Sequence, residues 1–256
     1  MPANVYQVIP FSFVVGLLIG VTSMGGAALM TPFLVLGLGI RPVVAVGTDL
    51  VYGAVTKVAG AWMHCRQRTV DYWMVLHMAC GSVPGGILGV FSIRALRRFD
   101  IDPDVWVKEA IGIGLVVVAV ILVIRALRGR QADEPNPWLL RHRRASATAW
   151  GFVVGFVVGL TSLGSGTLII PFLLSIYPSR PARAVGTDVF HGALLVAATG
   201  GLHAGEGHVD WGLLPPLLAG SVPGVLLGGY LAPRLPVRPL RVGIGLILFA
   251  SGVKLV

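Results

Sequence analysis

From Ile111 to Ile124 the chain reads IGIGLVVVAVILVI, fourteen residues without one polar side chain. A second stretch, LPPLLAGSVPGVLLGGYLA from Leu214 to Ala232, is nearly as apolar. Such runs approach or reach the ~20 residues that cross a bilayer as a helix. A buried helix in a soluble protein would keep a polar face at helical period, whereas these runs are apolar all round. The whole chain is 55% hydrophobic and only 12% charged, roughly half the charged share of a soluble domain. The sequence therefore describes an all-α polytopic membrane protein. Its net charge of +9 does not point to nucleic acid, because Lys and Arg cluster in the loops, where the positive-inside rule puts them. The start, MPANVYQVIPFSF, has no basic region before its apolar run, so that run is expected to be retained rather than cleaved. Cys65 and Cys80 form no CxxC and join no His/Cys cluster, so neither a disulfide framework nor zinc is implied.

Sliding the sequence against itself by 139 residues aligns Phe13–Gly89 with Phe152–Gly228 without a gap, and 32 of the 77 positions are identical. The matches fall in blocks: FVVG, TSxG, PFL, RPxxAVGTD, a lone histidine (His64, His203), VD, and GSVPG. Two copies of a mostly helical apolar module suggest a transporter built from repeats. Repeat 1 is read as residues 1–127, a basic cytoplasmic linker as 128–147, and repeat 2 as 148–256. Helical segments are expected near 6–23, 26–40, 43–64, 72–96 and 104–127, then 148–162, 165–178, 182–203, 210–232 and 239–255. The second of each set is shorter than the ~30 Å hydrocarbon thickness, so it is read as re-entrant.

Basic residues give the orientation. The linker Arg125–Ser146 holds six arginines and is read as cytoplasmic. After the third segment, copy one carries Arg66 and Arg68, while the matching HAGEGHVD of copy two carries no Lys or Arg. Before it, copy two has Arg180 and Arg183 where copy one has only Arg41. Homologous loops on opposite sides are what inverted-topology repeats predict. The three arginines of residues 94–98 run against this pattern, followed by Asp100, Asp102 and Asp104. Both termini are read as outside.

Two features carry candidate chemistry. Each copy breaks its helix at a TSxG stretch: Thr22, Ser23, Gly25 and Gly26 in copy one, and Thr161, Ser162, Gly164, Ser165 and Gly166 in copy two. A helix restarting after such glycines offers unpaired N–H groups and a positive dipole end, which suit an anion, although small residues also serve tight packing. The second feature is AVGTD, ending in Asp49 and Asp188. A carboxylate in an apolar segment costs ~2.5–3.5 kcal/mol on insertion scales and usually has a role. These two are candidates for proton coupling, with helix capping as the alternative. Lys57, eight residues past Asp49 on the same face, could pair with a carboxylate or an anion, or snorkel to the interface. His191 stands where copy one has Tyr52. Proline within GSVPG kinks a helix that its glycines let pack closely, or makes a hinge.

The ordered set GxTSxG, PFL, RPxxAVGTD and VD[YW], present in both halves, resembles the sulfite exporter TauE/SafE family. The resemblance covers nearly the whole chain. It implies transport of small anions such as sulfite or organosulfonates, with Thr22, Ser23, Gly25, Gly26, Thr161, Ser162, Gly164, Gly166, Thr48 and Thr187 carried over as substrate-binding positions. The sequence departs from that pattern after AVGT, where the family commonly has Ser and both copies here have Asp. The expectation is a proton-coupled secondary transporter in a bacterial inner membrane, working by alternating access. A passive anion channel is the alternative, and a membrane-embedded scaffold subunit ranks behind both. No catalytic residues, metal or cofactor are expected. The expected partners are a small anion, protons and the lipid bilayer, with homo-oligomerisation left open.

Overall fold

The computed structural model describes residues 5–22, 27–128, 137–164, 166–177, 180–231 and 237–256. Its elements are α1 (Val5–Thr22), α2 (Ala27–Pro32), a π-helical turn (Phe33–Gly37), α3 (Pro42–Arg66), α4 (Tyr72–Arg98), α5 (Pro103–Arg128), α6 (Pro137–Arg141), α7 (Arg143–Thr161), α8 (Ile169–Ile176), α9 (Pro181–Gly205), α10 (Leu214–Leu231) and α11 (Val237–Leu255). Among the described residues there is no strand, and helices satisfy their backbone groups within each segment, one of the two ways a chain can cross hydrocarbon. Among the described residues five helices, α3, α4, α5, α7 and α9, are long and apolar enough to cross a membrane. α8 has eight residues and rises only about 12 Å, well short of a ~30 Å core. The RP motif has a direct structural meaning: Pro42 and Pro181 open α3 and α9, where a proline's missing N–H costs nothing.

The halves are interleaved. α4 runs parallel to α7, with Gly81, Gly85 and Gly89 against the backbones of Thr148, Phe152 and Phe156. Reciprocally, Gly151, Gly155 and Gly159 meet Met78, Ser82 and Gly86. α10 is parallel to α1 in the same way, with Gly220, Gly224 and Gly228 against Ile9, Phe13 and Leu17. A Cβ at any of these glycines would fall on a backbone atom of the facing helix. This is the small-residue packing that membrane helices use in place of a hydrophobic driving force. Pro84 and Pro223 of GSVPG lie on the exposed sides of α4 and α10, so the motif puts glycines inward and the kinking residue outward.

The other two pairings are antiparallel. Gly60 of α3 faces Val189 of α9, and Gly200 of α9 faces Leu50 and Val51 of α3. In α5 and α11, Gly112 meets Gly252, and Gly245 meets Val123. Each half clasps the other beside its AVGTD motif. The Asp210 N–H donates to Thr48 Oγ1 at 2.9 Å, and the Asp71 N–H donates to Thr187 Oγ1 at 3.0 Å. The larger core gathers Ile111, Leu115, Val154, Leu163 and Leu195, while Val8, Met30, Leu34, Tyr52 and Leu217 fill a smaller one.

Several expectations change. α7 begins at Arg143, inside the segment read as linker, and α6 lies there too. α8 begins at Ile169 rather than near 165, because Gly166–Leu168 form a turn. α10 begins at Leu214 rather than 210, because the Asp210 side chain accepts from the Gly212 N–H and closes a turn. α3 and α9 pass without interruption through Asp49 and Asp188, so neither aspartate caps a helix.

The glycine contacts predict a sharp contrast between positions. Gly155→Leu, which would drive a side chain into the Ser82 carbonyl, should cost on the order of 1–3 kcal/mol or prevent assembly. Gly201→Ala in α9, with nothing within 4 Å of its new methyl, should be neutral or stabilise by up to about 1 kcal/mol. Thermal unfolding of the detergent-solubilised protein measures both.

Candidate functional site

The break in copy two is built from backbone conformation. α7 ends as Ser162 turns left-handed at φ 62°, with its N–H returning to the Val158 carbonyl at 2.8 Å. Gly164 and Gly166 follow at φ 114° and 102°, conformations that glycine adopts without penalty. The chain then restarts as α8. Thr161 Oγ1 is occupied locally, donating to the Val157 carbonyl at 2.7 Å and accepting from the Leu163 N–H.

Turning Ser162 left-handed delivers its hydroxyl across the molecule. Ser162 Oγ donates to Asp49 Oδ2 of α3 at 2.7 Å, and Thr31 Oγ1 of α2 donates to the same oxygen at 2.7 Å. Asp49 is 1% exposed, and its Oδ1 has no hydrogen-bond partner among the described residues. Asp49 thus ties the broken segment of one half to a long helix of the other.

Asp188, 5% exposed, occupies the matching position in α9 and meets the backbone N–H of Gly166, beyond the break in its own half. The charge that each of the two carboxylates faces is the ammonium of Lys57. Lys57 reaches across from α3 to Gly192 of α9, where a Cβ would lie 3.0 Å from its Nζ. Beside Gly192, the fully buried His191 places Nε2 2.8 Å from Ser82 Oγ of α4. At the repeat-related place, the buried Tyr52 hydroxyl approaches Ser221 of α10.

The structure therefore brings Asp49, Ser162, Asp188, Lys57, His191 and Gly166 to the α3–α9 seam. It uses Thr48 and Thr187 as clasps for the opposite half's loops. Thr22 closes α1, and Ser23, Gly25, Gly26 and Ser165 lie outside the described residues. Two polar contributors were not anticipated. Ser82 is visible in the sequence, since GSVPG repeats it as Ser221, but the motif by itself indicates a closely packed kink or a hinge rather than a polar contact. Thr31 gave no signal, because its counterpart is Ile170.

At the end of the molecule where α4 and α7 begin, a cavity of about 420 Å³ is lined by Asp71, Trp73, His77, Arg143, Arg144, Tyr177 and Arg183 among others. Asp71 Oδ2 accepts from Tyr177 Oη at 2.6 Å and pairs with Arg183 at 3.0 Å. Partial burial works against the charged form of Asp71. The Tyr177 hydroxyl, the Met74 N–H and Arg183 outweigh it and hold the carboxyl below its ordinary range. Tyr177 is pushed the other way, by burial and then by Asp71.

A family profile for the sulfite exporter TauE/SafE matches residues 8–255. The chain belongs to that family. It is 41% identical to the probable membrane transporter protein YjnA of Bacillus subtilis, over 98% of this chain and 99% of the relative. YunE of the same organism, also called a probable membrane transporter protein, is 27% identical over 94% and 92%. MJ0441 of Methanocaldococcus jannaschii, similarly named, is 24% identical over 94% and 91%. No solved structure matches. This TauE/SafE protein is accordingly a membrane transporter, and its relatives' names fit a protein that is not an enzyme.

The Asp49 node predicts strong coupling. Ser162→Ala removes one of two donors from a buried carboxylate, which should cost about 1–3 kcal/mol. In an Asp49→Asn background the same substitution should cost far less. A double-mutant cycle on thermal stability measures the difference.

Proposed function

We propose that this protein is a proton-coupled secondary transporter of small, sulfur-containing oxyanions such as sulfite or organosulfonates, resident in a bacterial inner membrane. The observation that carries the reading is the α3–α9 seam, where Lys57 faces two buried carboxylates contributed by different halves. A charge within the membrane is costly and marks an ion or proton pathway by default. Here one cation stands against two acids, so an arriving anion and an arriving proton each change the balance of the same group. The family described as sulfite exporters supports the substrate class. The glycine-flanked break after Ser162, with the Gly166 N–H turned to Asp188, supports an anion path along the restarting α8. The matching sequence stretch Thr22–Gly26, of which residues 23–26 lie outside the described residues, is its counterpart in this reading.

Inverted topology is part of the proposal. It draws support from the antiparallel α3–α9 and α5–α11 pairs and the parallel α1–α10 and α4–α7 pairs. The short α2 and α8 are re-entrant in this reading. The arginine-bearing linker faces the cytoplasm and both termini lie outside. Alternating access follows when one half moves against the other along the seam. Ser162 must then release Asp49, leaving a carboxylate to be neutralised by a proton.

Proteoliposome flux under an imposed pH gradient tests this against sulfite, sulfate, thiosulfate and sulfonates. Asp49→Asn and Asp188→Asn should each abolish pH-driven flux while membrane insertion is unchanged. Wild-type gradient-driven flux in both variants would remove proton coupling from the account, and uncoupled conduction by the wild type would identify a channel.

A further inference from the structure

At the end opposite the Asp71 cavity, four groups form one hydrogen-bonded line. Arg97 of α4 lies 3.3 Å from His208 Nε2, His208 Nδ1 lies 3.2 Å from His203 Nδ1, and His203 Nε2 lies 2.9 Å from the Gly159 carbonyl of α7. His203 is fully buried in the last turn of α9, and His208, 4% exposed, sits in the loop that follows.

The end groups dictate every proton in this line. A carbonyl oxygen only accepts, so His203 Nε2 carries hydrogen. A guanidinium only donates, so His208 Nε2 is bare. A neutral His208 then has its hydrogen on Nδ1, and a neutral His203 has a bare Nδ1 to receive it. Both rings are neutral, and the line points one way from Arg97 to Gly159. No further proton fits. One added to His208 would sit on Nε2 against Arg97, and one added to His203 would set two N–H groups against each other.

The charged surroundings of the pair are mixed. Glu206 acts on both rings, and Asp104 and Arg41 act on His208 alongside Arg97. Glu206 is paired with Arg94 at 3.3 Å, and Asp104 accepts from the Val43 N–H at 3.0 Å. Burial first, and Arg97 second, hold the loop residue His208 below its ordinary range. A group depressed in the folded state gives stability that is present above its unfolded value, ~6.5, and lost as pH falls below it.

What the line holds shut is the clasp beside Asp49. The His208 carbonyl lies against Gly47, and Asp210 bonds Thr48. The matching clasp beside Asp188 is built differently. Thr69 stands in place of His208, and its hydroxyl, 2.9 Å from His64 Nδ1, suits either role of that nitrogen. That end is also pinned by Asp71, ionised throughout the neutral range.

We propose that residues 203–210 are a one-sided pH latch: protonation of the His203–His208 pair releases this loop from Gly47, Thr48 and the end of α7, while the Thr69–Asp71 clasp stays closed. With the linker cytoplasmic, acid outside opens the outer end beside Asp49 and leaves the inner end shut.

Hydrogen–deuterium exchange on the purified full-length protein tests this, comparing peptides over 206–213 and 67–71 in the same sample between pH 5.5 and 7.5. The second peptide cancels the intrinsic pH dependence of exchange. The expected result is exchange at 206–213, relative to 67–71, rising on the order of tenfold at the acidic end. His208→Asn and His203→Gln should each abolish that relative rise. A constant wild-type ratio, or a rise that persists in a folded variant, would overturn the latch. Exchange needs neither substrate nor gradient, so this result and the Asp49 flux result fail independently.

Discussion

Everything in this molecule rests on backbone meeting backbone across the two halves. In a bilayer, lipid tails are as apolar as leucine, and burying another isoleucine gains little. What holds helices together is closeness, and glycine supplies it. The registers Gly81–Gly85–Gly89 and Gly151–Gly155–Gly159 let α4 and α7 lie in parallel contact, with α10 and α1 repeating the arrangement. Because each partner comes from a different half, the helix that leads into the break of the second half is packed on the first. α7, which ends in the break at Ser162, is carried by α4 of the other half.

That interleaving makes the buried charges workable. Asp49 lies where a lone carboxylate would be expensive, and two hydroxyls aimed at one oxygen reduce the cost. The second oxygen is left without a protein partner among the described residues, as is one oxygen of Asp188. Lys57 answers both, with its Nζ close against Gly192 of α9. The seam is thus held by a network with spare acceptor capacity.

The halves share a scaffold and differ where chemistry is at stake. Lys57 faces Val196 across the repeat, His191 faces Tyr52, Thr31 faces Ile170, and His208 faces Thr69. Lys57 and Thr31 have apolar counterparts, while His191 and His208 set an imidazole where the other half has the hydroxyl of Tyr52 or Thr69. A symmetric frame with asymmetric polar groups can answer differently to the two sides of a membrane.

Much of the fold was legible in the sequence, because its causes are local or periodic. Apolar runs demand helices in hydrocarbon, a proline after arginine starts α3 and α9, and paired glycines mark helix contacts. The 139-residue repeat showed that each of these features would occur twice. The two aspartates stood out because carboxylates are rare in such surroundings. Tertiary structure alone decided the rest. Local sequence allowed Asp49 to cap a helix, and only the uninterrupted α3 put it inside one, against a serine 113 positions away. The family resemblance marks Thr48 and Thr187 as substrate-binding positions, and the fold puts a clasp at each, because the loops that reach them come from the opposite half. Local sequence does not assign protons to His203 and His208, whereas Arg97 and the Gly159 carbonyl do. Hydrogen bonds and charge pairing depend on distance in space, and no spacing along the chain records which residues an interleaved fold brings within 3 Å.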